Sequence, residues 1–426
     1  MDLLYTFASE SSIHGLSHLV RQRTNLLEKV FWLVMLTVSV VCSVSICNSH
    51  WERFNENATV LNVETDYLNW VFRPPAATVC SDHVNEQKLQ QLLKRYWNVD
   101  GNHTRYSHYR NYLLTVNRAR FDNLGDFEEY VNDASLANIN MLSLVREMND
   151  PLTSPWKTFA PVLTEVGLCY SSTMLYRFQR PDSLRSLGNY SKEKSPDCFT
   201  LDVCRTMVAM SHVESKRTDV YIHIEQDVMT GDSPIHYTLG EHDIVSSTLS
   251  VEQVVASKAL KQLSPRRRKC RLPNERLPYF SVYTINLCRI NCRIEAALKM
   301  CKCVPFFYNI GKRICNPTGL YCLSLNNWYT FNNTCICPQL CESLSLRQVS
   351  VKKKVLEQAN SKLETQIIYP RMRMKRDVLY DLSNLIVAFG GSAALFLGCS
   401  FISFVEVAFF ILEYVTKKVY ERIHQQ

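Results

Sequence analysis

The sequence predicts a membrane protein with two transmembrane helices and a large disulfide-rich α+β ectodomain between them. Three observations predict it. Two long apolar stretches lie near the ends of the chain, cysteines crowd the region between them, and that region carries four N-x-S/T sequons.

The first stretch, Val30 to Cys47, holds no charged residue. As a helix it is roughly 27 Å long, close to the apolar thickness of a bilayer. Trp32 near its start and Trp51 just past its end suit the two interfaces. A signal peptide is the competing reading. Against it, 29 residues precede the run, and Cys47-Asn48-Ser49-His50 is a poor cleavage site.

The second stretch, Leu382 to Leu412, is longer than a straight span requires, so it must tilt, bend or break. Gly390-Gly391 and Gly398 are the candidate break points. Glu406, its one charge, is expected to face water or protein rather than lipid. At about 100° per residue, Ala388, Ser392, Ser400, Ser403, Glu406 and Glu413 fall within an arc of roughly 140°. A pore lining and a helix–helix interface built from small residues both fit that face.

The mean hydropathy of −0.14 places most of the 426 residues outside a membrane. A net charge of +8 with scattered basic residues argues against nucleic acid as a partner. Of the 17 cysteines, Cys42, Cys47 and Cys399 lie in the apolar stretches, which leaves fourteen, an even number, between them. The sequons are at Asn57, Asn102, Asn189 and Asn332. Both signals put the middle region in an oxidising, glycosylating compartment and both termini in the cytosol. Lys417, Lys418 and Arg422 after the second stretch agree, while the N-terminal segment is balanced in charge and does not discriminate. The expected organisation is a cytosolic segment 1–29, a span 30–48, an ectodomain 49–380, a second span 381–413 and a tail 414–426.

Within the ectodomain, Asn85 to Trp97 has Leu89, Leu92, Leu93 and Tyr96 at helical spacing. Asp126 to Met148 also reads as a helix, Val220 to Val228 alternates like a strand, and Arg289 to Met300 reads as an amphipathic helix. Ten cysteines fall between Cys270 and Cys341 with C-x-C and C-x₃-C spacings and no histidine. Zinc knuckles would use C-x₂-C pairs with histidines, so disulfides are the expectation, stiffening a small subdomain with little core of its own. Arg266-Arg267-Arg268-Lys269 is either a proprotein cleavage site or a solvated charged face. Cys270 follows at once, which favours the second. No P-loop, H-E-x-x-H or G-x-S-x-G pattern occurs, so neither an enzyme nor a cofactor is expected.

Four motifs give the chain a resemblance to the degenerin / epithelial sodium channel family, which includes the acid-sensing channels, and within it to the insect pickpocket branch. Ser11-Ser12-Ile13-His14-Gly15 resembles the family's His-Gly motif before the first span. Pro75-Ala76-Ala77-Thr78-Val79-Cys80 is similar to its segment after that span, with the leading Phe displaced to Phe72 by Arg73-Pro74. The third motif is the order of the cysteines. The fourth is Gly390-Gly391-Ser392-Ala393-Ala394-Leu395-Phe396-Leu397-Gly398-Cys399-Ser400 followed by Glu406.

The resemblance implies a trimer of related subunits, homomeric or heteromeric, with palm, knuckle, finger and thumb regions over two helices each. It implies a sodium-preferring, amiloride-sensitive type of cation channel in the plasma membrane, with sodium as the permeant ion. The cysteine order implies Cys80–Cys169, Cys270–Cys341, Cys288–Cys337, Cys292–Cys335, Cys301–Cys322 and Cys303–Cys315. Cys198 and Cys204 are left over and close in sequence, so they are expected to pair with each other. By resemblance, Gly398-Cys399-Ser400 occupies the selectivity position, where a helix interrupted on a threefold axis offers carbonyls and small side chains to a partly dehydrated cation. Glu406 would add a ring of carboxylates. His14, Gly15, Gly390, Gly391 and Ser403 belong to the expected pore and gate, and Val387 matches the position where bulky residues hold degenerins open.

Two departures qualify this. Ala388 stands where the family often has an Asp, and the Arg-rich run stands where acid-sensing members have a Trp. Acid gating by their route is therefore not expected, and nothing in the pattern names an extracellular ligand. An ATP-gated type of trimeric channel, a two-pass ecto-enzyme and an adhesion receptor are the alternatives. The cysteine order, the absence of catalytic patterns, and the charged, glycine-broken second stretch respectively disfavour them.

Overall fold

The computed structural model describes residues 7–9, 11–21, 25–72, 74–81, 84–149, 159–172, 198–199, 204–209, 217–308, 310–330, 335–355 and 361–424. The chain forms two compact units. One comprises Met1–Leu61, Ser257–Arg268 and Arg376–Gln426; the other comprises Asn62–Ala256 and Lys269–Lys375.

The first unit is built on the helix Leu26–Glu56, which overruns the expected 30–48 span at both ends. Among the described residues it is the one continuous helix long and apolar enough to cross a membrane. Leu33, Val34, Val38, Val41 and Val44 on it are exposed, as lipid-facing side chains would be. The second apolar stretch is two helices, Leu382–Leu397 and Phe401–His424, which meet at 81°. That break corrects the single 140° arc expected for Ala388 through Glu413, because its members sit on two differently directed helices.

The Arg-rich run also differs from expectation. Pro265–Arg268 is a helical turn. The Arg267 guanidinium lies 3.6 Å from the centre of the Phe54 ring. Its Nε donates to the Phe54 carbonyl at 3.0 Å and Nη2 donates to the Tyr380 carbonyl at 3.4 Å. Arg268 is buried and donates to the Leu263 carbonyl at 2.8 Å. These two arginines are engaged rather than freely solvated. The last turn of a helix leaves carbonyls unsatisfied and carries partial negative charge, which suits a guanidinium.

The second unit holds a five-stranded sheet and four complete strands of a six-stranded one. The five-stranded sheet runs Ala160–Thr164, Gly167–Ser171, Ala76–Ser81, Thr218–His223, His236–Leu239, antiparallel throughout. The expected strand 220–228 is therefore shorter and earlier; the chain turns where Asp227 N–H donates to the Ile224 carbonyl. In the six-stranded sheet, Asp243–Ala256 pairs parallel with Lys362–Ile368 and antiparallel with Ser343–Val355.

Helices cover this unit's main core. Glu86–Trp97 starts at Asn85, whose side chain accepts from the Gln87 and Lys88 amides, and ends on left-handed Asn98. Asp126 to Met148 is not one helix. It forms short 3₁₀ turns at Leu124–Tyr130 and Ala134–Leu136 and a helix Met141–Met148. Asp133 and Asn140 cause the restarts, because their side chains accept the amides of Ser135 and Ser143 and end the preceding run. The helix Ile285–Cys301 begins at Thr284, which caps the Leu287 amide.

Six disulfides occur among the described residues: Cys80–Cys169, Cys270–Cys341, Cys288–Cys337, Cys292–Cys335, Cys301–Cys322 and Cys303–Cys315. Cys198 and Cys204 lie in the strands Cys198–Phe199 and Cys204–Ala209, but the side chains on which their expected pairing rests are outside what the structure describes. The cysteine-dense block does not lack a core. Ile290, Ile294, Phe306, Phe307, Leu320, Leu323 and Trp328 from it pack in one cluster with Leu89, Leu93, Tyr112, Phe127 and Leu144.

Buried polar groups tie this cluster to the turns around it. Arg293 pairs with Glu165, which also accepts from the Gly231 amide and from the Tyr308 hydroxyl. Burial pushes the Tyr308 hydroxyl well above its usual range, and the Glu165 carboxylate adds to that. Burial alone would lower the Arg293 pKa, but Glu165 beside it more than reverses this. Asp227 accepts from the Thr284 hydroxyl at 2.5 Å, and burial raises its pKa to about 6. His223 is buried, with Nδ1 donating to the Ile224 carbonyl at 3.0 Å and Nε2 accepting from the Thr78 hydroxyl at 2.8 Å. Burial lowers its pKa to about 4.

Candidate functional site

The break in the second apolar stretch is written in its turn chemistry. Gly398 takes φ +64°, the left-handed conformation that ends a helix and favours glycine. Its amide donates to the Ala394 carbonyl at 3.0 Å, and the Cys399 amide reaches the Ala393 carbonyl at 3.3 Å. Two residues later a new helix begins with reciprocal capping. The Ser400 amide donates to Ser403 Oγ at 3.0 Å, and the Ser403 amide donates to Ser400 Oγ at 3.4 Å. Gly398-Cys399-Ser400 therefore stops one helix and starts the next. Gly390 and Gly391, also expected as break points, stay inside the helix Leu382–Leu397. Ser392 follows them, but its hydroxyl donates back to the Phe389 carbonyl at 3.0 Å and the helix continues.

The segment before the first long helix folds against this break. The His14 amide donates to the Leu397 carbonyl at 3.1 Å, and a Cβ on Gly398 would collide with the His14 ring at Nδ1. Gly15 has φ +91°, and a Cβ there would lie 3.3 Å from Leu36 Cδ1 on the helix Leu26–Glu56. His18 then stacks on Trp32 with ring centres 4.4 Å apart. Ser12 Oγ lies 2.7 Å from Ser403 Oγ and 2.8 Å from Glu406 Oε2. The result is a cluster of hydroxyl, carbonyl and carboxylate oxygens from Ser12, Leu397, Ser400, Ser403 and Glu406. Such hard oxygen donors suit a hard cation.

The structure thus brings together His14, Gly15, Gly398, Cys399, Ser400, Ser403 and Glu406. Val387, Gly390 and Gly391 stand apart on the preceding helix, with Val387 74% exposed. Further along that helix, Cys47 and Ser392 are 3.1 Å apart across the helix pair. At its start, Asp381 caps the Asn384 amide and the Tyr380 hydroxyl meets His50 Nδ1 at 2.7 Å. Sequence reasoning missed Ser12, although it lies inside the quoted His-Gly motif, and it missed the S-x-x-S capping signal at Ser400 and Ser403. Of the expected glycosylation sites, Asn57 and Asn102 are exposed. Asn189 and Asn332 lie outside the described residues. The sulfurs of Cys288, Cys292, Cys335 and Cys337 all lie within 4.8 Å of one another, but they form two disulfides and offer no thiolate to a metal.

Comparison with known proteins agrees in extent with this arrangement. The family profile described as "Amiloride-sensitive sodium channel" matches residues 7–410, from the N-terminal segment into the second helix of the broken stretch. The "Sodium channel protein Nach" of Drosophila ananassae is 24% identical over 95% of this chain and 85% of its own length. "Pickpocket protein 19" of Drosophila melanogaster is 22% identical over 94% of this chain and 88% of its own. "Acid-sensing ion channel 2" of Homo sapiens is 24% identical over 39% of this chain and 37% of its own. A solved proton-activated chloride channel aligns over 90% of this chain and 95% of its own with 7% identity and a TM-score of 0.24, too weak a likeness to bear on the fold. With its profile match running nearly end to end, the chain belongs to the amiloride-sensitive sodium channel family, a family of membrane ion channels.

Proposed function

We propose that this chain is one subunit of a trimeric, sodium-preferring, amiloride-sensitive type of cation channel in the plasma membrane. Three copies, or copies with related subunits, set their second apolar stretches around a common axis. Leu382–Leu397 and the helix after the break together form the second span, and both termini are cytosolic. Ions pass the constriction at Gly398-Cys399-Ser400. Small side chains leave the axis open there, and carbonyl and hydroxyl oxygens replace part of the ion's water. Glu406 from each subunit concentrates cations and repels anions. Sodium as the permeant ion follows the names of the relatives and needs no bound cofactor.

The single observation that carries this reading is the oxygen cluster at the helix break. Gly398 has φ +64°, Ser400 and Ser403 cap each other, and Glu406 is the one charge in the stretch. A helix serving only as an anchor would gain nothing from a break and a carboxylate, both costly in lipid.

The test is whole-cell current from cells expressing this chain, with external sodium exchanged for a large impermeant cation and amiloride added. Val387→Trp is run in parallel, since by alignment with the family a bulky residue there holds the channel open. A sodium-carried, amiloride-reduced current is expected. Surface-expressed protein that passes no current in either form, alone or with related subunits, would refute the reading.

A further inference from the structure

We propose that Ser12 is a specificity-determining residue of the ion pathway, its hydroxyl holding the Glu406 carboxylate beside Ser403. The inference rests on the pathway reading above and adds to it a side chain from the N-terminal segment.

Ser12 lies two residues before His14. Its Oγ is 2.7 Å from Ser403 Oγ and 2.8 Å from Glu406 Oε2, and its amide approaches the same carboxylate oxygen at 3.4 Å. Ser403 is 3% exposed, and its hydroxyl accepts from the Ser400 amide at 3.0 Å. A connected run therefore leads from the end of the Gly398-Cys399-Ser400 turn, through two hydroxyls, to the charged side chain. A hydroxyl donates one proton. Ser403 Oγ and Glu406 Oε2 both face that one proton, and the charged carboxylate is the stronger acceptor.

The consequence is positional. Glu406 is only partly buried on a helix face, and unassisted it would sample several rotamers. A charge-assisted hydrogen bond fixes one oxygen and aims the other. Carboxylates held at fixed places discriminate between cations by size and hydration, whereas mobile ones adapt to either. Backbone on both sides secures the geometry. The His14 amide holds the Leu397 carbonyl, and left-handed Gly15 redirects the chain toward the helix Leu26–Glu56. Ser12 thus comes to the site as part of a supported loop rather than a free tail.

The test uses full-length protein in the Val387→Trp form, reading sodium-to-potassium permeability ratios from reversal potentials. Reversal potential does not depend on how many channels reach the surface, so a folding defect does not move it. Ser12→Ala is expected to lower the ratio at least about threefold, a part of what one hydrogen bond to a charged group contributes. Ser12→Thr keeps the hydroxyl and is expected to retain the ratio. An unchanged or increased ratio in Ser12→Ala, with robust current, overturns the proposal and leaves the pathway reading intact. A second measurement needs no current. Oxidation of Ser12→Cys/Ser403→Cys in isolated membranes should form an intrachain disulfide, read by mass spectrometry. Its absence overturns the contact on which the proposal stands. If the disulfide forms but no variant conducts, the pathway reading fails and the role of Ser12 fails with it.

Discussion

The Arg267 guanidinium stacks 3.6 Å above the centre of the Phe54 ring while its Nε donates to the carbonyl of the same residue. One side chain thereby grips both the ring and the main chain at the end of the first long helix. Its Nη2 reaches the Tyr380 carbonyl, one residue before Asp381, the cap of the helix Leu382–Leu397. Two outcomes are expected. Surface protein tagged at both ends should run as one uncut band under reducing conditions, because Arg267 and buried Arg268 are withheld from a protease. Arg267→Gln should lower the thermal midpoint of the solubilised protein by an amount corresponding to roughly 2 kcal/mol, from one cation–π contact and charged hydrogen bonds. Phe54→Leu should cost little more once Arg267 is gone. Additive losses would refute the pairing.

Asp227 and His223 make the second unit respond to acid in opposite directions. The Asp227 pKa is raised from 3.8 to about 6 by burial. The folded state therefore holds that proton more tightly, and the stability it adds below pH 4 is lost as pH rises through 6. The His223 pKa is lowered from 6.5 to about 4 by burial. Its neutral form adds stability above pH 6.5, and this is lost as pH falls toward 4. Between pH 6.5 and 4 the two partly cancel. Asp227→Asn removes one arm, so thermal stability should rise at pH 7.5 and should fall more steeply than in the parent between pH 6.5 and 4.5. His223→Gln should do the reverse, gaining stability on acidification. Thermal scans across that range check both, and parallel profiles for all three proteins would contradict the assignment.

These residues also mark how far the sequence was legible. The long helix, the helix 86–97 and the cysteine block could be read because periodicity, caps and spacing are local signals. The break at Gly398 was read as one of three candidates. What distinguishes it is the S-x-x-S capping pair that follows, Ser400 and Ser403. Asp126 to Met148 was misread as one helix because its apolar spacing continues across Asp133 and Asn140, whose side chains take backbone amides and restart the chain. Ser12, Arg267 and Asp227 were beyond sequence reasoning. Their partners lie 394, 213 and 57 residues away, and only the folded chain brings them together.

The buried Arg293–Glu165 pair should behave as a unit. Glu165 accepts from Arg293, from the Tyr308 hydroxyl and from the Gly231 amide, so its charge is well solvated by protein. Arg293→Met would leave that carboxylate buried without its cation, at a cost of about 3–5 kcal/mol. Adding Glu165→Gln removes the stranded charge and should recover a substantial part of the loss. Surface expression and thermal midpoint report both. A double variant no better than Arg293→Met would show that shape, not charge, sets the cost.

Gly398 answers two demands at once, and a methyl group should violate both. Alanine at φ +64° costs about 1 kcal/mol in backbone strain, which the helix pair can absorb. The collision of its Cβ with the His14 ring is the larger effect, because His14 is held by the hydrogen bond its amide donates to the Leu397 carbonyl. In the Val387→Trp background, Gly398→Ala should reach the surface at near-parental levels and lose most of its current. The two causes can be separated. His14→Ala/Gly398→Ala removes the ring but keeps the left-handed alanine. If the collision dominates, the double variant should conduct better than Gly398→Ala alone, even though His14→Ala by itself reduces current. If backbone strain dominates, adding His14→Ala should only lower the current further, and the close packing of the two residues would then not be what requires glycine.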